Sequence, residues 1–327
     1  MTRLARFAQR LATMAGAALL AGSALAQSAY PSKAVRIIVP GAAGSGLDIV
    51  ARLIGQKLGE AWKQPVIVEN RPGASGSIGT QVAARSPADG YTLLAAAPGE
   101  TVLASIASAR SGFDPLRELR PISLIGISPL ALVAHASFPA NTLAELVTLA
   151  KAKPGTIFYA TAGVGSSHHL AGELLKLSTG MNLGVVNYPS MAPAVNDALG
   201  GQVPLALTGF PPIRTHVKSG RLKVITVIAS RRTPLEPDWP ALGEGGPAGH
   251  DITTWLGLFG PSQLPADIAA SISRDVARIA KLPDVIERMV ALGAEVRGTT
   301  PEEFSAFLKA EDSKYRTILK ESGVKLE

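Results

Sequence analysis

Apolar positions along this chain switch repeatedly between two periods. Val35–Val39 is a short β-branched run that stops at Pro40, which cannot donate to a ladder, and it predicts a buried strand. From Ile49 the apolar residues fall at helical spacing (Ile49, Val50, Leu53, Ile54, Leu58, Trp62), predicting a helix to Trp62 behind the glycine-rich turn Pro40–Leu47. Val66–Glu69 and Tyr91–Ala97 read as strands, Ser75–Arg85 as a helix, and Pro98-Gly99-Glu100 as a loop before a short helix to Ser108. Ile122–Ile127 and Leu130–His135 read as two strand-like runs broken by Ser128-Pro129.

The pattern then restarts. Asn141 caps a predicted helix to Lys151, with Leu143, Leu146, Val147 and Ala150 on one face. Thr156–Ala160, Val185–Tyr188, Val203–Thr208 and Leu222–Ala229 predict strands; His168–Leu177, Ala192–Leu199 and about Ile213–Lys218 predict helices. A second glycine-serine turn, Gly163-Val164-Gly165-Ser166-Ser167, precedes the first of these helices. Arg231–His250 is rich in Pro and Gly and reads as a long connection, and Trp255–Phe259 as the last strand. The remainder is helical over Ala266–Ala280, Pro283–Ala291 and Pro301 to about Leu319, the last opened by a capping box of Thr300 and Glu303 around Pro301.

Alternating strands and helices predict an α/β fold with two doubly wound sheets. The terminal helical block has no sheet of its own, so it is expected to return to the first half. The chain then divides into a discontinuous lobe one, residues 27–128 plus 251–327, and a lobe two, residues 129–250, with two crossover strands as a hinge. Ligands of open α/β sheets bind at the carboxyl ends of the strands. Both glycine-serine turns lie at such ends, where backbone amides at a helix N-terminus can take a carboxylate, phosphate or sulfate. The first turn in isolation also reads as a tight connection with no ligand, because Gly44-Ser45-Gly46 is not continued as G-x-G-x-x-G and no Walker lysine follows.

Composition narrows the setting. Arg3, Arg6 and Arg10, the apolar stretch Leu11–Leu25 and Ala24-Leu25-Ala26 predict a secretory signal peptide over residues 1–26, cleaved between Ala26 and Gln27, and a periplasmic location. The 327-residue chain has no cysteine, so a packed core must hold it together, and 46% hydrophobic composition makes that feasible. Formal charge is +7, partly carried by the leader arginines; with Lys and Arg scattered and aromatics at 5%, there is no nucleic-acid footprint. His169 and Glu173 stand one turn apart, but no third ligand is in sight, so neither a metal nor a cofactor is expected. Ser75, Ser77, Ser166 and Ser167 form no G-x-S-x-G elbow, and no catalysis is expected. Asp48 is expected to support its helix N-terminus, and Trp255 to be core.

Longer stretches then carry a resemblance. Tyr30-Pro31-Ser32-Lys33 with Ile37-Ile38-Val39-Pro40, PVIVENRPGASGSIG at Pro65–Gly79, Asp89-Gly90-Tyr91-Thr92-Leu93, AGVGSSHHLAGE at Ala162–Glu173, LGGQV at Leu199–Val203, WLGLFGP at Trp255–Pro261 and LGAEVRGTTPEEF at Leu292–Phe304 together resemble the Bug-type receptors of tripartite tricarboxylate transporters. The resemblance implies a two-lobed type II periplasmic-binding-protein fold that closes on a small organic anion. It implies delivery to membrane permease subunits; presentation of the closed form to a sensor kinase is the alternative, since the first loop's hydroxyls and aromatic are reduced, and a monomer is expected. The positions matching the family's site are Gly41, Ala42, Ala43, Gly44, Ser45, Gly46 and Asp48 in lobe one, and Gly163, Val164, Gly165, Ser166, Ser167 and His168 in lobe two. Ala97 and Pro98 flank the first set; Tyr188, Ser190, Ala192 and Thr208 flank the second. Compared with the family, the first loop lacks an aromatic and keeps one hydroxyl, Val164 replaces a usual Asn, and Thr208 a usual Asp that can pair with a ligand ammonium. These departures imply a less polar aliphatic or aromatic acid in preference to amino acids. Gly165→Pro is expected to abolish binding without unfolding the protein.

Overall fold

The computed structural model describes residues 30–107, 112–245 and 251–326, so the predicted leader, Ser108 and residues 246–250 lie outside the described residues. The strands, numbered in chain order, are β1 (Val35–Val39), β2 (Val66–Asn70), β3 (Thr92–Ala96), β4 (Leu119–His135), β5 (Phe158–Ala162), β6 (Gly184–Tyr188), β7 (Leu205–Gly209), β8 (Leu222–Val227), β9 (Thr253–Pro261) and β10 (Glu295–Val296). The helices longer than two turns are α1 (Gly46–Trp62), α2 (Ser77–Ala84), α3 (Leu143–Ala152), α4 (Ser167–Thr179), α5 (Met191–Leu199), α6 (Ala266–Ile279), α7 (Pro283–Ala291) and α8 (Pro301–Ser322).

Two parallel triplets form the ends of the molecule. β1 lies between β2 and β3, and β5 lies between β7 and β6. β4 links them. Its first part pairs antiparallel with β9, from Leu119↔Pro261 to Pro129↔Thr253. Its second part, from Leu130 onward, pairs antiparallel with β7 on one side and β8 on the other. β9 completes the first sheet by pairing antiparallel with β3. Both triplets are thus parallel, as α/β alternation predicts, while the linking strands run against them.

The expected break at Ser128-Pro129 does not occur. β4 is continuous through both residues, because Pro129 falls where β9 ends and β7 begins, so the missing N–H is not required by either ladder. A second departure is β10, a two-residue strand in the block expected to be wholly helical, which pairs with Gly126 and Ile127 of β4. Ala74–Gly76 forms a separate helical turn ahead of α2 rather than part of one helix.

The core follows the crossover. Ile38 and Leu94 of the first sheet belong to one apolar cluster with Leu132 and Tyr159 of the second and Leu170 of helix α4, joined through Trp255, Phe259, Phe304 and Tyr315. Helix α8 supplies the last two. It starts with the expected capping box: Thr300 Oγ1 accepts the Glu303 amide at 3.1 Å and Glu303 Oε2 accepts the Thr300 amide at 2.9 Å. Phe304 then stacks edge-on against Trp255 at 5.9 Å, and Trp255 Nε1 donates to Glu311 Oε2 at 3.1 Å. Fully burying a side chain such as Phe304 stabilises by roughly 1.5–3 kcal/mol. Tyr315 is fully buried further along, its hydroxyl beside Ser167 of α4 without a well-formed hydrogen bond. The final helix therefore spans both sheets rather than returning to the first alone.

Candidate functional site

The two glycine-serine turns are built on one plan. In each, a glycine in the left-handed region is followed by a serine that caps the helix: Gly44 (φ +79°) before Ser45, and Gly165 (φ +73°) before Ser166. Ser45 Oγ accepts the Asp48 amide at 3.3 Å, and Ser166 Oγ accepts the His169 amide at 3.1 Å. The residue four places after each glycine then turns its side chain back. Asp48 Oδ2 accepts the Gly44 amide at 2.9 Å, and His169 Nδ1 accepts the Gly165 amide at 3.0 Å. Positive φ at each glycine is what lets the chain double back in so few residues.

This arrangement consumes some amides and frees others. Gly44, Asp48, Gly165 and His169 donate internally, and the Gly163 amide donates to Tyr188 O at 3.0 Å. The amides of Gly46 and Leu47 in α1, and of Ser167 and His168 in α4, are the first two of their helices and have no hydrogen-bond acceptor among the described residues. Each turn thus presents two adjacent N–H groups at the positive end of a helix dipole. Ala42, Ala43, Gly44, Gly46 and Val164 are exposed; Gly165 is buried, covered by Leu326 of the C-terminal tail.

Behind the first turn, Asp48 is buried and tied on several sides. Asn70 Nδ2 donates to Asp48 Oδ1 at 3.0 Å and to Gly41 O at 3.1 Å, while Arg52 Nε donates to Asp48 Oδ2 at 3.0 Å. The Arg52 hydrogen bond outweighs burial and holds the Asp48 carboxyl below the usual carboxylate range. Behind the second turn the support is a histidine. His169 Nε2 lies 3.6 Å from Glu173 Oε1, which also accepts from Lys176 Nζ at 2.9 Å and Tyr159 Oη at 3.4 Å. Both nitrogens of His169 are engaged, and no group of three or more His, Asp or Glu able to hold a metal ion occurs among the described residues. Burial pushes the neighbouring His168 imidazole down to about 4, so it is neutral near pH 7.

The other sequence-predicted positions divide. Ala97 and Pro98 follow β3 directly beside the first turn, since β1 and β3 are paired neighbours. Ser190 and Ala192 are exposed at the start of α5. Tyr188 has its hydroxyl committed, donating to Asp197 Oδ2 at 2.6 Å, and burial with that carboxylate pushes it up to about 12. Thr208 is fully buried in β7, with its hydroxyl unpaired. Trp255 is core, as expected, and Trp239 packs on Phe210 at 4.7 Å. The Gly165→Pro test does not isolate binding: proline can neither adopt φ +73° nor donate to His169, and a Cβ there would fall 2.6 Å from Leu326 Cδ2. Sequence reasoning missed Asn70, Arg52 and Leu326. The first belongs to a turn motif and the second to a helix surface, and neither position signals a role until the fold brings it to the loop.

The profile described as "Tripartite tricarboxylate transporter family receptor" matches residues 50–324. The chain is 31% identical to "Protein BugT" of Bordetella pertussis over 299 residues, covering 91% of this chain and 92% of that one. A protein of R. palustris solved with adipate superposes with a TM-score of 0.76 at 29% identity, over 90% of this chain and 99% of its own. MatC of Rhodopseudomonas palustris with bound malate superposes with a TM-score of 0.72 at 28% identity, over 89% and 100%.

Proposed function

Because the chain belongs to the tripartite tricarboxylate transporter receptor family, whose members are solute-binding receptors and not enzymes, we propose that it captures a small carboxylate between two lobes and delivers it to a membrane permease. In this reading lobe one is residues 27–128 with 251–327 and lobe two is residues 129–250, with helix α8 packing across both, and the leader directs the protein to the periplasm. The observation that carries the reading is the repeated turn, with acceptor-free amides of Gly46 and Leu47 on one helix and Ser167 and His168 on another. Such amides attract a carboxylate without burying a permanent counter-charge that must be desolvated whenever the site is empty. Adipate and malate, named with the two solved relatives, are carboxylates of the same general kind.

Within that class the cleft favours less polar aliphatic or aromatic acids over amino acids. Thr208 stands where the family pattern carries an acid, Val164 where it carries an amide, and His168 is neutral. A thermal-shift screen of aliphatic acids, aromatic acids and amino acids tests this, since a ligand bound by the folded form raises its melting temperature. Calorimetry that finds tight aspartate or glutamate binding and none of simple carboxylic acids overturns the preference. A screen in which no carboxylate shifts the transition overturns the function.

A further inference from the structure

The carboxyl ends of β2, β1 and β3 lie side by side, so the segments that follow them share one edge of the first sheet. Two of these segments are locally unusual. Gly73, Ala74, Ser75 and Gly76 all have positive φ, at 123°, 47°, 52° and 88°. Alanine and serine are costly in that region, and such strain concentrates at ligand sites. After β3 the chain makes a wide π-type turn, in which the Leu103 amide donates to Pro98 O at 2.9 Å.

Glu100 joins the two segments. Its side chain lies over Gly76 so closely that a Cβ there would fall 2.3 Å from Glu100 Cγ, and its Oε2 accepts the Ala97 amide at 3.1 Å. No Lys, Arg or His forms an ion pair with it among the described residues. Burial raises its carboxyl above the usual value, more than the Ala97 and Glu100 amides lower it. An uncompensated acid is thus placed at the end of the sheet where the first turn offers its amides. Asp48 nearby differs, because Arg52 and Asn70 balance it.

We propose that Glu100 is a specificity-determining residue that excludes a second ligand carboxylate from the lobe-one end of the cleft, so that this receptor selects monocarboxylates over dicarboxylates. The inference rests on the carboxylate-binding reading and narrows it. One carboxylate can be held at the free amides. A second, extending along the ends of β1–β3 toward Glu100, meets a carboxyl that has no ion-pair partner of its own; because burial raises that carboxyl, the repulsion belongs to its ionised form and grows as pH rises.

Calorimetry on the wild-type protein and E100Q, near neutral pH, tests this with matched pairs: butanoate and succinate, hexanoate and adipate, octanoate and suberate, benzoate and terephthalate. Wild type should bind the monoacid of the best pair at least about tenfold tighter than its diacid, and E100Q should cut that ratio by about tenfold. A wild type that prefers the diacid, or an E100Q protein with an unchanged ratio, overturns the proposal while leaving carboxylate binding intact. If E100Q does not fold, E100A is measured in its place, and an unchanged ratio there overturns the proposal equally. If no acid of any pair binds either protein, the function and this proposal fall together.

Discussion

His169 Nδ1 accepts the amide of Gly165 at 3.0 Å, which fixes the ring proton on Nε2, facing Glu173. The second turn therefore depends on a neutral histidine where the first uses an ionised aspartate. Replacing His169 with alanine leaves a buried Gly165 amide without an acceptor, a loss of about 1–3 kcal/mol. Asparagine, which keeps an acceptor, should recover part of it; chemical denaturation of H169A and H169N in which asparagine is no better than alanine would show that packing alone is involved.

Acid should weaken the fold through the two adjacent histidines of this turn, His168 and His169. Burial holds His168 down at about 4 against an ordinary 6.5, and lowers His169 too, with Glu173 opposing and Lys176 adding to the shift. Between the two values the unfolded chain binds more protons than the folded one. The stability contributed is complete above about 6.5 and is lost as pH falls toward about 4. Thermal melts across this window should fall, and H168N should flatten the slope; an identical slope in H168N refutes the assignment.

Leu326 and Gly165 should be energetically coupled. G165A imposes left-handed strain of about 1–2 kcal/mol and pushes its Cβ into Leu326. Shortening the tail residue in G165A/L326A should relieve the steric part, giving a coupling of about 0.5–1 kcal/mol in a double-mutant cycle. Strict additivity of the two single changes would place the tail elsewhere in solution.

Removing the Asp48 carboxylate strands the Gly44 amide, Asn70 and Arg52 together. D48A should cost about 1–3 kcal/mol, because Arg52 is half exposed and stays hydrated when its partner is removed, and D48N less. Because Arg52 depresses the Asp48 pKa below 3.8, its contribution is full above that value and disappears as pH falls through the folded value. A D48A protein within experimental error of wild type would mean the bonds carry no net stability.

T300A removes the α8 cap and should cost about 1 kcal/mol by denaturant titration. An effect indistinguishable from zero would indicate that packing of Phe304 fixes that helix end unaided.

Local pattern was enough for most elements. Val35–Val39, α1 and the Thr300 box announce themselves through period and capping chemistry, which depend on near neighbours in the chain. Ser128-Pro129 misled because a proline's effect depends on which ladder would need its N–H, and that is settled only by where β9 and β7 lie. β10 was missed because two residues carry no period, and only the exposed edge of β4 makes them a strand.

The sequence by itself determined the α/β class, the paired glycine-serine turns and the resemblance that names the family, since all three reside in short-range residue order. Tertiary structure decided which amides in those turns remain free. Asp48 and His169 reach back over one helical turn to occupy Gly44 and Gly165, so the amides of Gly46, Leu47, Ser167 and His168 are the ones left without acceptors. It also brought Glu100 onto Gly76 and Leu326 onto Gly165. These contacts depend on parallel pairing and on a terminal helix crossing the molecule, and such long-range geometry leaves no trace in a local pattern.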